Sequence, residues 1–465
     1  MIEFKTIPIY FRNPSFNSFQ NELMNFFIFL SKVHPAFLLD NSLLAKMQKQ
    51  ADFLCDLLAD ESSWNLSKFQ IWVNKFIRNL NDAHSHIEVC QSILYPYTVR
   101  FYEGVFYIYS TTLQHKNTLG KTITAINNIP ISIIHEQMSK WIPAENSIKS
   151  GIVGSYFLNN PHFLESIGIQ YSNKLSIHFG DNDKEEFNLN DIKKEILVFQ
   201  TNVNPLTCPQ NSFFHYKIID SICYFQFNNM YDKLSYQINC SILNKECDKE
   251  ILTRLPDFES FLKNMYADMH KQHINTLVVD MRNNGGGNSL LGDILLETLV
   301  PKNIHFKTYT TFTRISDFLK ENSYYYSSSN IANNKLINIK RLPSIKEWEM
   351  RPHLEEQFQG KIFFIQGQNT FSSANYLLTT IKDNKLFPII GSNTSQSPTC
   401  FGDVIPILLP FTKTKGYISH SYFQRPCVKL KNEPTLSPNF TIKNSFYDKS
   451  QGKDLCIEWI KKQIL

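Results

Sequence analysis

From about residue 16 to 80 the apolar residues recur at helical spacing. Phe69, Trp72, Val73, Phe76, Ile77 and Leu80 form the clearest stripe, and the pattern predicts a small helical unit. After it, "HIEVCQSILYPYTVRFYEGVFYIYSTT" has the composition and alternation of strands. "LGKTITAINNIPISIIHEQMSKWI" reads as a strand, an Asn127-Asn128 turn, a short strand and a helix from about Ser132. The polar stretch "FGDNDKEEFNLNDIKKE" predicts a boundary or a long surface connection near residues 180–195. From about residue 250 the pattern changes. A helix near 256–271, the strand "NTLVVD", a helix near 289–299, the strand "KIFFI", a helix from Ser372 and the strand "FPIIG" follow one another, and such alternation predicts α/β layers. Between them "ENSYYYSSSNIANNKLINIKRL" reads as a long exposed loop.

Composition narrows the function classes. A chain of 465 residues exceeds what one core usually serves, so two or three packed units are expected. The net charge of +5 is spread without a basic block, which gives no electrostatic case for nucleic acid or a membrane surface. Nine cysteines lie far apart with no C-x-x-C pair, as reduced thiols do. The N-terminal residues lack a basic stretch followed by an apolar one, and "LMNFFIFL" is too short to cross a bilayer. A soluble, cytoplasmic protein without a cofactor is the expectation.

Two strand-to-helix junctions carry candidate chemistry. In "GQNTFSSANYLL" Ser372 falls where a loop becomes the first turn of a helix, a place rich in unpaired N–H groups and at the positive end of the helix dipole. A nucleophilic hydroxyl there would have the Ser373 N–H aimed at the oxygen of a tetrahedral intermediate. The same residue type at the same place is also a common helix cap. In "LVVDMRNNGGGN" Gly285, Gly286 and Gly287 follow a strand, where glycines let bare N–H groups approach an anionic oxygen or simply make a tight turn. Neither a Walker loop nor G-x-G-x-x-G is present.

These two blocks, followed by "IIGSNTSQSPTCFGDV", occur in an order and spacing that resembles the S41 serine peptidases, the family of C-terminal processing and tricorn core proteases. "LNDAHSHIEV" is similar to the family's Asp-x-His-Thr/Ser segment, "GKTITAINNIPI" to the strand pair of a PDZ-like module, and "NEPTLSPNFTI" to its closing segment. The resemblance implies a helical unit over residues 1–90, a PDZ-like β module over 91–180 and an α/β core of the crotonase/ClpP-like layered kind over 181–465. It implies Ser372 as nucleophile, and an oxyanion hole from the Ser373 N–H and the Gly286-Gly287 pair. It also implies a peptide or unfolded protein as substrate.

The base separates the branches of the family. Asp403 stands in "CFGDV" where the processing branch has its lysine, and a carboxylate is too weak a base to replace an amine. The tricorn-like branch uses a histidine, and Asp82-Ala83-His84-Ser85-His86 offers two. The three-residue match to Asp-x-His-Ser favours His84 over His86. Glu433 is the expected supporting carboxylate, with Asp403 as its rival. No ligand-spaced cluster predicts a metal. Asn375 and Asn439 depart from the family's usual glutamate and aspartate. Two rivals are a peptide-binding pseudoprotease and a crotonase-like acyl-transfer enzyme.

Overall fold

A computed structural model describes residues 3–180, 182–189, 196–198, 212–242, 245–327, 331–338 and 357–464. Two compact units account for it: residues 1–201, 333–336 and 401–421 in the first, and residues 202–332, 337–400 and 422–465 in the second.

The first unit begins with the predicted helices, Ser18–Val33, Leu43–Leu57 and Leu66–Ile77. Asn17 opens the first with a capping box shared with Gln20, and Asn65 caps the third. Beyond them, Tyr97–Tyr102 and Val105–Thr112 pair as a hairpin that Ile196–Val198 extends. A second sheet has the order Ile129–Pro130, Ala125–Ile126, Lys174–His178, Lys184–Asn188. Asn127 and Asn128 both take positive φ, 45° and 64°, in the turn between its first two strands, and the helix Ile131–Met138 follows directly. The polar stretch read as a connection contains the strand Lys184–Asn188, whose one buried side chain is Phe187. Period-2 burial with a single apolar residue is too faint to mark a strand. Parts of that stretch and of the loop "ENSYYYSSSNIANNKLINIKRL" lie outside the described residues; what is described of the loop includes the short helix Tyr324–Ser327 and the strand Lys335–Asn338.

The second unit is the α/β layer the alternation predicts. Its sheet runs Phe214–Ile219, Ile222–Phe227, Thr276–Asp280, Lys361–Gln366, Ile389–Gly391, Phe440–Thr441, antiparallel for the first pair and parallel thereafter. Alternate residues of each central strand face opposite ways. Leu277, Val279, Ile362 and Phe364 pack with Met265, Leu291 and Leu377 of the helices Phe258–Lys271, Leu290–Leu299 and Ser373–Asp383. Val278, Phe363, Ile365 and Ile390 face Cys456, Ile457 and Ile460 of the last helix, Leu455–Ile464. A sheet covered on both faces explains why its strands read as unbroken apolar runs.

The end of the strand Thr276–Asp280 is pinned by charge. Arg282 reaches Asp280 (Nη2 to Oδ2, 2.5 Å) and Asp454 (Nη2 to Oδ2, 2.6 Å), and Tyr224 donates its hydroxyl to Asp280 Oδ2 at 2.5 Å. Burial alone would raise the Asp280 pKa, but the charge and hydrogen bonds of Arg282 outweigh it and hold the carboxyl below its ordinary value. Its contribution to stability is therefore complete above about pH 4, its unfolded range, and is lost as pH falls through the lower folded value. Asp280→Asn should cost about 3 kcal/mol at pH 7, because it leaves a mostly buried guanidinium half-paired. Denaturant titrations of wild type and mutant at pH 7 and pH 3 check this, with the gap narrowing at the acid end.

Candidate active site

The serine junction lies in the second unit, directly after the strand Lys361–Gln366. Ser372 has φ 53° and ψ −128°, and its side chain makes no capping bond to the helix Ser373–Asp383. A cap residue is normally extended, so the conformation argues against a plain N-cap and for a sharp elbow that presents the hydroxyl. Ser373 is committed elsewhere, since its Oγ donates to the Gly287 carbonyl at 2.6 Å.

The glycine loop is stitched to this elbow. Phe371 N–H donates to the Asn284 carbonyl at 3.0 Å, and the Thr370 hydroxyl donates to the Met281 carbonyl at 2.8 Å. Asn284 is fully buried; its amide donates to the Phe227 carbonyl and its Oδ1 accepts the Gly286 N–H, both at 2.8 Å. Gly286 has φ 102°, and a Cβ there would lie 2.6 Å from Ser372 Cβ and 2.9 Å from the Ser373 nitrogen. Gly287 has φ 134°, and a Cβ there would lie 2.2 Å from the Met230 carbonyl oxygen. Only a bare backbone fits at both. With the Gly286 N–H turned to Asn284, the Gly287 N–H of the loop and the Ser373 N–H of the helix start are among the donors that meet no acceptor among the described residues. The block "SNTSQSPTC" folds over the elbow: Gln396 Oε1 accepts the Ser372 N–H, its amide donates to Cys400 Sγ at 3.0 Å, and the Thr394 hydroxyl donates to Asn375 Oδ1 at 2.9 Å. Asn375 is thus a buried acceptor at a position where the family usually has glutamate.

Of the two candidate supporting carboxylates, Glu433 lies in the second unit, where its Oε2 receives Arg425 Nη1 at 2.7 Å and Arg425 in turn binds Asp383. Asp403 is exposed and lies in the first unit with φ 53°. Asn439 serves the sheet, its Oδ1 accepting the Ile389 N–H at 2.9 Å.

His84 belongs to the first unit and sits in a tight polar turn. Asn81, at φ 51°, ends the helical region, and Asp82 follows fully buried. Asp82 Oδ1 accepts the His84 N–H at 2.8 Å and lies 3.7 Å from His84 Nδ1. Asp82 Oδ2 accepts the Ser85 hydroxyl at 2.5 Å and His34 Nε2 at 3.1 Å. His34 Nδ1 accepts the Ala36 N–H, so its proton is on Nε2, facing Asp82. Burial would raise the Asp82 pKa, but the bonds and charges of His34 and His84 hold it well below the usual carboxylate range. The His84 side chain is 12% exposed, whereas His86 is an exposed strand residue whose ring is tilted against Tyr417. Glu145 completes the surroundings: its Oε1 accepts the Ala83 N–H at 3.2 Å, and burial with the neighbouring Asp82 charge pushes its pKa up to about 7. The sequence gives no signal for Glu145, 61 residues downstream in "PAENSIKSG", nor for His34 or Gln396, because their partners are distant in the chain.

Gly286→Ala should lower the rate of covalent labelling of Ser372 by a fluorophosphonate at least about 100-fold, since a displacement of even 1 Å misaligns a reacting atom. The measurement is labelling rate beside a thermal melt. A mutant that melts like wild type and labels at the wild-type rate contradicts the packing described here.

Residues 251–401 match the family model for peptidase family S41. No curated protein matches the sequence. Among solved structures, mature CPAF superposes with a TM-score of 0.62 at 15% identity, covering 96% of this chain and 97% of that one. Mature CPAF complexed with lactacystin gives 0.62 at 14% identity over the same shares, and a CPAF mutant gives 0.61 at 13% over 96% of each chain. At these identities the likeness is one of fold. The glycine loop, the Ser372 elbow and the block that folds over it all lie inside the segment that matches peptidase family S41.

Proposed function

We infer that the chain hydrolyses peptide bonds through an acyl-enzyme on Ser372. The observation that carries this reading is the elbow: a serine at positive φ, not spent on capping, pressed against a glycine that no larger residue could replace. In the reaction the Ser372 hydroxyl attacks the scissile carbonyl, and His84 takes its proton and returns it to the leaving amine. The N–H groups of Ser373 and Gly287 receive the charge that develops on the carbonyl oxygen, while Gly286, whose N–H is held by Asn284, keeps the loop against the elbow. The packing of His84 against Asp82 supports its role, since a buried carboxylate beside an imidazole fixes its orientation and favours the imidazolium that forms. Glu433, held by Arg425, is the late carboxylate assigned to support the site, and peptides or unfolded proteins are the substrates.

The hairpin around Asn127-Asn128, the helix after it and the neighbouring strands support a PDZ-like peptide-docking role for residues 91–180. The edge strand Ile129–Pro130 pairs on one side only in its sheet, which would let an extended peptide add a strand. No helix among the described residues is long and apolar enough to cross a membrane.

Ser372→Ala should abolish fluorophosphonate labelling, while Ser373→Ala keeps it. His84→Ala should lower kcat on a peptide library about 10²–10⁴-fold, with a small effect from His86→Ala. Full labelling of Ser372→Ala, or wild-type turnover by His84→Ala, refutes the respective assignment. A protein that labels but cleaves no peptide would instead favour the acyl-transfer alternative.

A further inference from the structure

Glu145 is the buried group that the peptidase reading leaves unused. It is 8% exposed, and with Oε1 taken by the Ala83 N–H its Oε2 is buried without a hydrogen-bond partner. Leaving a buried carboxyl oxygen unsatisfied is costly, and native structures rarely do it without a reason. Asp82, His84 and Glu145 each place one ligand atom so that all three lie within 4.8 Å of one another.

The geometry points to a binding site for a divalent first-row transition ion of the zinc class, held by Asp82, His84 and Glu145. Two carboxylates and an imidazole are a mixed oxygen and nitrogen set, which suits zinc or cobalt better than the all-oxygen preference of calcium or magnesium. Three protein ligands leave a fourth position open, as in zinc sites that bind water or substrate. His34 and Ser85 hold Asp82 from behind, and such outer contacts orient a ligand toward its ion. A cavity of about 150 Å³ lies beside the cluster in sequence, lined by Ala83, His86 and Lys149 among mostly apolar side chains, but none of the three ligands lines it.

The charges facing the cluster compete with an ion. Lys149 is half-buried next to it and interacts with both Glu145 and Asp82, and Arg78 interacts with Glu145. An ion must therefore displace part of the stabilisation Lys149 supplies, which fits a reversible site better than a permanent one. On the reading that His84 is the base, an ion on its imidazole withdraws the lone pair that would take the Ser372 proton, so occupancy would inhibit the peptidase.

The test uses the full chain stripped with a chelator. Cobalt(II) titration followed by visible absorption, and zinc(II) titration by calorimetry, should each give one ion per chain at this cluster. Glu145→Gln should weaken both at least about 100-fold, and Lys149→Met should tighten them about tenfold, the competing charge being gone. No cobalt spectrum from the wild type, or equal zinc affinity in a folded Glu145→Gln, overturns the site. Should a melting curve show Glu145→Gln unfolded, unchanged or weaker binding by Lys149→Met overturns it instead. In the same samples, zinc that binds and suppresses turnover, with recovery on chelation, supports both the site and the base. Zinc that binds at Glu145 while turnover continues upholds the site and removes His84 from the role of base.

Discussion

The close approach of Gly286 to Ser372 is the constraint around which the second unit is organised. Two parallel neighbours, Thr276–Asp280 and Lys361–Gln366, end side by side, with Asp280 opposite Ile365 in the register. Their following loops therefore emerge together, and the hydrogen bonds from Thr370 and Phe371 to Met281 and Asn284 draw them into contact. At that separation one loop must have no side chain and the other must turn sharply. Gly286 and the positive φ of Ser372 are two answers to one packing problem, and the proposed chemistry would use what the packing imposes. Strain held this way persists only because the surroundings over-determine it.

That geometry also explains what the sequence could reveal. The strands and helices of the second unit were legible because parallel strands buried on both faces are unbroken apolar runs, and their helices have a clean apolar stripe. The serine and glycine blocks were legible because they are local: each sits at one strand-to-helix junction, and their residue types follow from backbone shape. The Asn127-Asn128 hairpin was legible for the same reason, since two consecutive asparagines tolerate positive φ.

What stayed hidden depends on contacts made across long separations. Glu145, His34, Gln396 and Arg425 have ordinary local settings, and only folding brings them to Asp82, Ser372 and Asp383. The strand Lys184–Asn188 was missed because four of its five side chains are polar or charged and its register is set by the neighbour Lys174–His178. The tendency of Ser to cap helices gave local support to a structural role for Ser372, and its positive φ with no capping bond is what speaks against that role.

The clamp on Arg282 has a consequence for the order in which the molecule becomes complete. One of its carboxylates is two residues away, but the other, Asp454, lies 172 residues further along the chain. Contacts of such separation close late, because the entropy of a long loop must be overcome first. During synthesis from the N-terminus, the glycine loop and the serine elbow therefore emerge well before the partner that fixes the strand end beneath them. The support beneath the elbow is therefore completed only after the elbow itself has been made.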